Sequence, residues 1–177
     1  ITVNALSTVV AAAGADQQAC SGTDVILDGS ASVGGVTFSW RDAQGAEVGN
    51  TPVITLAGLP DGDNFFTLTI TDGPCSSTDE VLITMLALPI ANAGPDQTIF
   101  LAGTAQLGGS PSGPIGSVFV WSPDTLVNDG AASNPTTSPT ITTWYTLTVT
   151  APNGCTATDS VLVTVVPVVL GEGKPIF

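Results

Sequence analysis

The chain repeats itself at an interval of about 80 residues, and this interval constrains its fold more than any other feature. Ala13-Gly14-Ala15-Asp16-Gln17 returns as Ala93-Gly94-Pro95-Asp96-Gln97, and Trp40 returns as Trp121. Phe66-Thr67-Leu68-Thr69-Ile70-Thr71 returns as Tyr145-Thr146-Leu147-Thr148-Val149-Thr150. Cys75, Asp79 and the run Val81-Leu82-Ile83-Thr84 return as Cys155, Asp159 and Val161-Leu162-Val163-Thr164. Four ordered matches at offsets of 79 to 81 mean two copies of one module. A module of that length is an ordinary size for a small β-sandwich.

The residue types within the repeat set the class. The 177 residues include 25 Thr, 19 Val, 20 Gly and 13 Pro. Thr and Val are β-branched and suit a pleated surface. Lys and Arg total 2, so the usual solvent face of a helix is missing. The expected class is all-β, with short strands and Gly, Pro and Asx turns. With 43% hydrophobic residues the chain has the apolar surface to fold, unlike a disordered acidic tail.

Charge and composition exclude several functions. The net charge is −13, and Arg41 and Lys174 cannot neutralise a run of phosphates, so nucleic acid is not a partner. The absence of His removes Ser/His/Asp triads, Cys/His dyads and imidazole metal sites together. No apolar run reaches the length a membrane span needs, so no direct span is expected.

Alternation places the strands. In the first module Asp24–Leu27 reads as an early strand and Val36–Trp40 as a central one, with Val36, Phe38 and Trp40 on one face. Phe65–Thr71 and Glu80–Met85 form a final hairpin around Asp72-Gly73-Pro74. The second module offers Ala105–Leu107, Ser117–Trp121, Trp144–Thr150 and Ser160–Val165, with a turn at Pro152-Asn153-Gly154. Trp40, Phe66, Trp121 and Tyr145 are read as core. Trp144 is a lesser candidate for ligand stacking, because its neighbour Tyr145 takes the inward face.

The repeat also sets the domain frame. Residues 1–5 match Ile83–Ala87 and read as the end of a preceding repeat. Repeat 1 then covers 6–88 and repeat 2 covers 89–167, with 168–177 as a linker to a downstream element. A short connector, Leu86 to Asn92, predicts modules set nearly end to end.

In family order, Ala93-Gly94-Pro95-Asp96-Gln97-Thr98, Trp121-Ser122-Pro123, Asn134-Pro135-Thr136 and Asn153-Gly154-Cys155 resemble the PKD-like, Ig-like tandem repeats of large Bacteroidota surface proteins. Those proteins include gliding-motility adhesins and other cargo of type IX secretion. The resemblance implies two tandem Ig-like/PKD-like β-sandwich domains, export, and no catalytic activity. It also implies a disulfide between Cys20 and Cys75, since the related repeats commonly pair an early Cys with a late one. That bridge would close 75 − 20 = 55 residues, worth roughly 3–4 kcal/mol in a chain-entropy model. Phe100-Leu101 stand where the partner of Cys155 would be, which leaves Cys155 as an unpaired, buried thiol.

The acidic residues are divided unevenly, ten in 1–88 and five beyond. Asp61 and Asp63, in Asp61-Gly62-Asp63-Asn64, are the candidate Ca²⁺ ligands. A solvated Asx turn is the simpler reading of the same residues, and no cofactor is expected. Asp16, Asp96, Asp79 and Asp159 recur at equivalent positions and read as architectural, each bonding to backbone N–H groups close by. Edge strands lack protective Lys, which leaves lateral assembly with other copies open.

These residues lead to a non-catalytic structural segment of a secreted cell-surface adhesin or filament. Its expected work is that of a rigid spacer in adhesion or gliding motility. Its partners would be neighbouring repeats of the chain, with other copies in a filament or surface glycans beyond them. The alternatives are a carbohydrate- or protein-binding module and an accessory module of a secreted hydrolase.

Overall fold

A computed structural model describes residues 8–35 and 37–168. The chain divides into two compact units, Ile1–Ala87 and Leu88–Phe177. Residues 1–5, Val36 and all of 168–177 except Val168 lie outside the described residues, and so do the expectations placed on them. Among the described residues every regular element is a strand.

Unit 1 contains β1 (Gln17–Cys20), β2 (Val25–Asp28), β3 (Thr37–Asp42), β4 (Glu47–Gly49), β5 (Val53–Leu56), β6 (Gly62–Asp72) and β7 (Cys75–Leu86). A five-stranded sheet runs β1-β7-β6-β3-β4, and β2 pairs with β5 in a second sheet. Their facing side chains form one core of Val25, Leu27, Trp40, Phe66, Leu68 and Ile70, completed from β7. Burial alternates along β6 and β7, as it must when one sheet face is packed and the other wet.

Unit 2 contains β8 (Gln97–Phe100), β9 (Ala105–Gln106), β10 (Val118–Ser122), β11 (Thr136–Thr137), β12 (Thr143–Thr150) and β13 (Thr156–Val166). Its larger sheet runs β10-β12-β13-β8, and β9 pairs with β11. Trp121, Tyr145, Leu107, Leu147, Val149 and Val161 are at the centre of its core.

The hairpins are longer than alternation indicated. Strand β7 begins at Cys75, five residues before the expected Glu80, and Asp72 pairs directly with Cys75. The connection is therefore Gly73-Pro74, with Gly73 in the left-handed region at φ 57. The added stretch of β7 was hidden because its inward side chains are polar. Ser77 Oγ accepts from the Ala11 N–H at 3.1 Å, and Asp79 Oδ2 accepts from the Ala13 N–H at 2.7 Å. Short strands β1, β4, β5, β8 and β11 carry too few alternating residues to be read from sequence.

Candidate functional site

The recurring aspartates build the same device in each unit. Asp79 on β7 holds the Ala13 N–H, and Asp16 on the other side of the bend reaches back to the Leu82 N–H at 2.9 Å. In unit 2, Asp159 holds the Ala93 N–H at 2.8 Å and Asp96 holds the Leu162 N–H at 2.8 Å. Each carboxylate thus satisfies a backbone donor on the element that carries its counterpart. The two acceptors clamp the entering segment to the last strand. The partners lie 66 residues away in all four bonds, not locally as the sequence suggested.

Glycine makes the bend between the clamped positions. Gly14 and Gly94 have φ 88 and 86. A Cβ at Gly94 would meet the Gly108 carbonyl oxygen at 2.7 Å, so both conformation and space require glycine there.

The tryptophans repeat their polar contact as well as their burial. Trp40 Nε1 donates to the Thr51 carbonyl at 3.1 Å, and Trp121 Nε1 donates to the Ala132 carbonyl at 3.0 Å. Phe66 and Tyr145 are both buried. The extra hydroxyl of Tyr145 is met by Thr137 Oγ1 at 2.7 Å within the core.

The cysteines differ from the expected arrangement. Cys20 and Cys155 are disulfide-bonded, and Cys75, expected to pair with Cys20, carries a free, partly exposed thiol. Register explains why the Cys20–Cys75 bridge is impossible. Cys20 pairs with Leu86 at the end of β7, whereas Cys75 opens that strand, 86 − 75 = 11 residues away. That is about 36 Å of strand at about 3.3 Å per residue. A disulfide needs Cα atoms about 4–7 Å apart. The signal that was missed is the parallel course of β1 beside the end of β7. Cys155 is buried, but it is not the unpaired thiol that was expected.

Asp61 and Asp63 flank Gly62 at the start of β6. Asp63 Oδ1 accepts from Thr84 Oγ1 at 2.8 Å, and Asn64 Nδ2 donates to the Pro60 and Gly62 carbonyls. Among the described residues no group of three or more His, Cys, Asp or Glu could hold an ion. Asp28 is an acid with a distinct environment: the Ser30 hydroxyl and then the Ser30 N–H hold its carboxyl below the ordinary value of 3.8.

One exposed feature recurs with the clamp. Phe65 and Trp144 point outward from β6 and β12, opposite Leu82 and Leu162. The aspartate bonded to each leucine N–H extends the row, giving Phe65–Leu82–Asp16 in unit 1 and Trp144–Leu162–Asp96 in unit 2. Sequence reasoning singled out Trp144 but passed over Phe65, which precedes the better-matched Phe66.

No family model matches the chain. Among curated proteins it is similar to the dyslexia-associated protein KIAA0319 homolog of Rattus norvegicus, 36% identical over 118 residues, 58% of this chain and 11% of the relative. The human protein is 36% identical over 92 residues, 45% of this chain and 9% of the relative. The chain therefore spans about a tenth of the length of the curated relatives it matches. Among solved structures, the N-terminal eight Ig domains of Down syndrome cell adhesion molecule align with a TM-score of 0.58 at 12% identity, over 90% of this chain and 24% of that one. The insect immune protein hemolin aligns with a TM-score of 0.51 at 12% identity, over 93% of this chain and 49% of that one. The fold is all-β and Ig-like.

Proposed function

We propose that this chain is a non-catalytic structural segment of a cell-surface protein, serving as a stalk or spacer in adhesion. The observation that carries this reading is what the duplication preserves. The Asp clamp, the bend glycine and the tryptophan N–H contact recur with nearly the same distances. Each is architectural, so repetition has kept a shape. An extracellular setting agrees with the disulfide, since such bonds persist in oxidising surroundings. Among the described residues no helix is long and apolar enough to cross a membrane.

In its finer form the reading is a repeat of a Bacteroidota adhesin or filament, exported by type IX secretion and used in gliding. The resemblance in Ala93–Thr98 and Asn153–Cys155 supports that form. Electron microscopy of the intact native protein tests it. An extended surface structure beaded at the size of one unit is expected. A compact particle in which these units flank a larger catalytic body would overturn the reading.

A further inference from the structure

We propose that the outward face of the unit 2 sheet binds a neutral glycan chain, with Trp144 as its stacking platform. This goes beyond the spacer reading and does not depend on it.

Three observations carry the inference. First, Trp40 and Trp121 are buried at 0% and 2% exposure, whereas Trp144 is 58% exposed on a regular strand. A large aromatic ring exposed to this extent contributes little to its own core, and it suits a ligand with one apolar face and polar edges. Pyranose rings have that character. Second, the row beside Trp144 is ordered. Leu162 sits opposite it, and Asp96, bonded through Oδ1 to the Leu162 N–H, lies two strand spacings away, about 10 Å. A sugar stacked on the indole could bring its hydroxyls toward the remaining carboxylate oxygen. The neighbouring row supplies Thr146 and Ser160, whose hydroxyls already bond to each other at 2.9 Å.

Third, charge selects the occupant. The outward positions of β10, β12 and β13 are Val, Thr, Ser, Trp and Leu, with no charged side chain among them. The chain as a whole carries −13. A second copy, or any acidic polymer, would approach against that field, while a neutral saccharide would not. In unit 1 the corresponding face carries Glu80 and the Arg41–Glu47 ion pair at 3.6 Å, and Phe65 replaces the larger indole. Unit 2 is therefore the stronger site.

The test uses the intact chain and its intrinsic fluorescence, because Trp144 is the exposed indole. The probes are cellohexaose, mannohexaose and chitohexaose, with hexagalacturonate as the acidic counterpart. At least one neutral hexasaccharide is expected to give a saturable blue shift, and hexagalacturonate none. Trp144→Ala should weaken binding about tenfold or more, measured by calorimetry. Its fold is checked by the near-ultraviolet signals of Trp40 and Trp121, and Trp144→Phe should restore part of the affinity. Phe65→Ala should change the affinity less than Trp144→Ala. Saturation by none of the neutral probes, or undiminished binding by a folded Trp144→Ala chain, would overturn the proposal. So would a dimer seen by sedimentation that Trp144→Ala dissociates, since the face would then be a protein interface.

Discussion

Units 1 and 2 hold the same entering segment to the same strand, but they differ in how much else holds it. Both use the reciprocal carboxylates. Unit 1 adds two serine hydroxyls, Ser77 to the Ala11 N–H and Ser32 to the Ala12 N–H. Unit 2 has Ala157 at the position of Ser77, and its Asn92 N–H goes to the Ser112 carbonyl instead. The second sheets differ in the same direction. The β2–β5 pairing in unit 1 spans four residues on each strand, while β9–β11 spans two. Unit 2 compensates inside its core with the Thr137–Tyr145 hydrogen bond, where unit 1 has Phe66. The clamp and the tryptophan are thus the common minimum, and the anchors around them are replaceable.

The largest expected effect should not distinguish the units. Trp40→Ala and Trp121→Ala each remove a fully buried indole and its N–H bond, and each should cost about 3–5 kcal/mol. Denaturant unfolding followed by hydrogen exchange in each unit measures both. A much smaller loss in one unit would show that its core is not built on that residue.

The clamp should distinguish them. Asp159→Ala leaves the Ala93 N–H without its charged acceptor, at a cost of about 1.5–3 kcal/mol. Asp79→Ala should loosen its segment less, because Ser77 and Ser32 still hold it. Amide exchange at Ala93 and Ala13 reads the difference. Equal loosening would mean that the serine anchors hold no more than the Gly108 and Gly109 N–H bonds to the Ala93 and Asn92 carbonyls do in unit 2.

The core hydroxyl pair sharpens the comparison further. Tyr145→Phe strands the buried Thr137 hydroxyl and should cost about 1–3 kcal/mol. Adding Thr137→Val should recover most of that loss, since unit 1 packs its core with Phe at the matching place. Thermal unfolding of the single and double variants checks this.

The smallest effects concern single side chains. Cys75 should react with iodoacetamide without prior reduction, while Cys20 and Cys155 should not, as read by peptide mass spectrometry. Asp28 should titrate below 3.8 in the folded chain. Its contribution is complete above the ordinary carboxylate value and is lost as pH falls through the depressed folded value. Unit 2 has Gly108 at that position and lacks this acid-sensitive step. A carboxyl-detected NMR titration gives the midpoint directly.

How much of this was legible depended on distance along the chain. The all-β class followed from Thr, Val and the scarcity of Lys and Arg, because those preferences act locally. The paired aspartates were visible as recurring positions, but their partners were not, since a carboxylate's backbone donor 66 residues away leaves no mark in spacing. The inward Ser77 and Asp79 disguised the first half of β7, because alternation was sought in apolar residues. The cysteine pairing inferred from family resemblance failed on register: β1 runs beside the far end of the strand that Cys75 begins. Phe65 and Trp144 became comparable once register placed each beside a leucine and an aspartate.

One carboxylate clamp, made once within each unit, holds that unit's entering segment to its last strand. Residue-resolved amide hydrogen exchange on the intact chain tests it most directly. Ala13, Leu82, Ala93 and Leu162 N–H groups should all exchange slowly. Asp16→Ala with Asp79→Ala should release Ala13 and Leu82, and the Asp96→Ala, Asp159→Ala pair should release Ala93 and Leu162. Fast exchange at these four amides in the unaltered chain, or protection unchanged by those substitutions, would contradict the account.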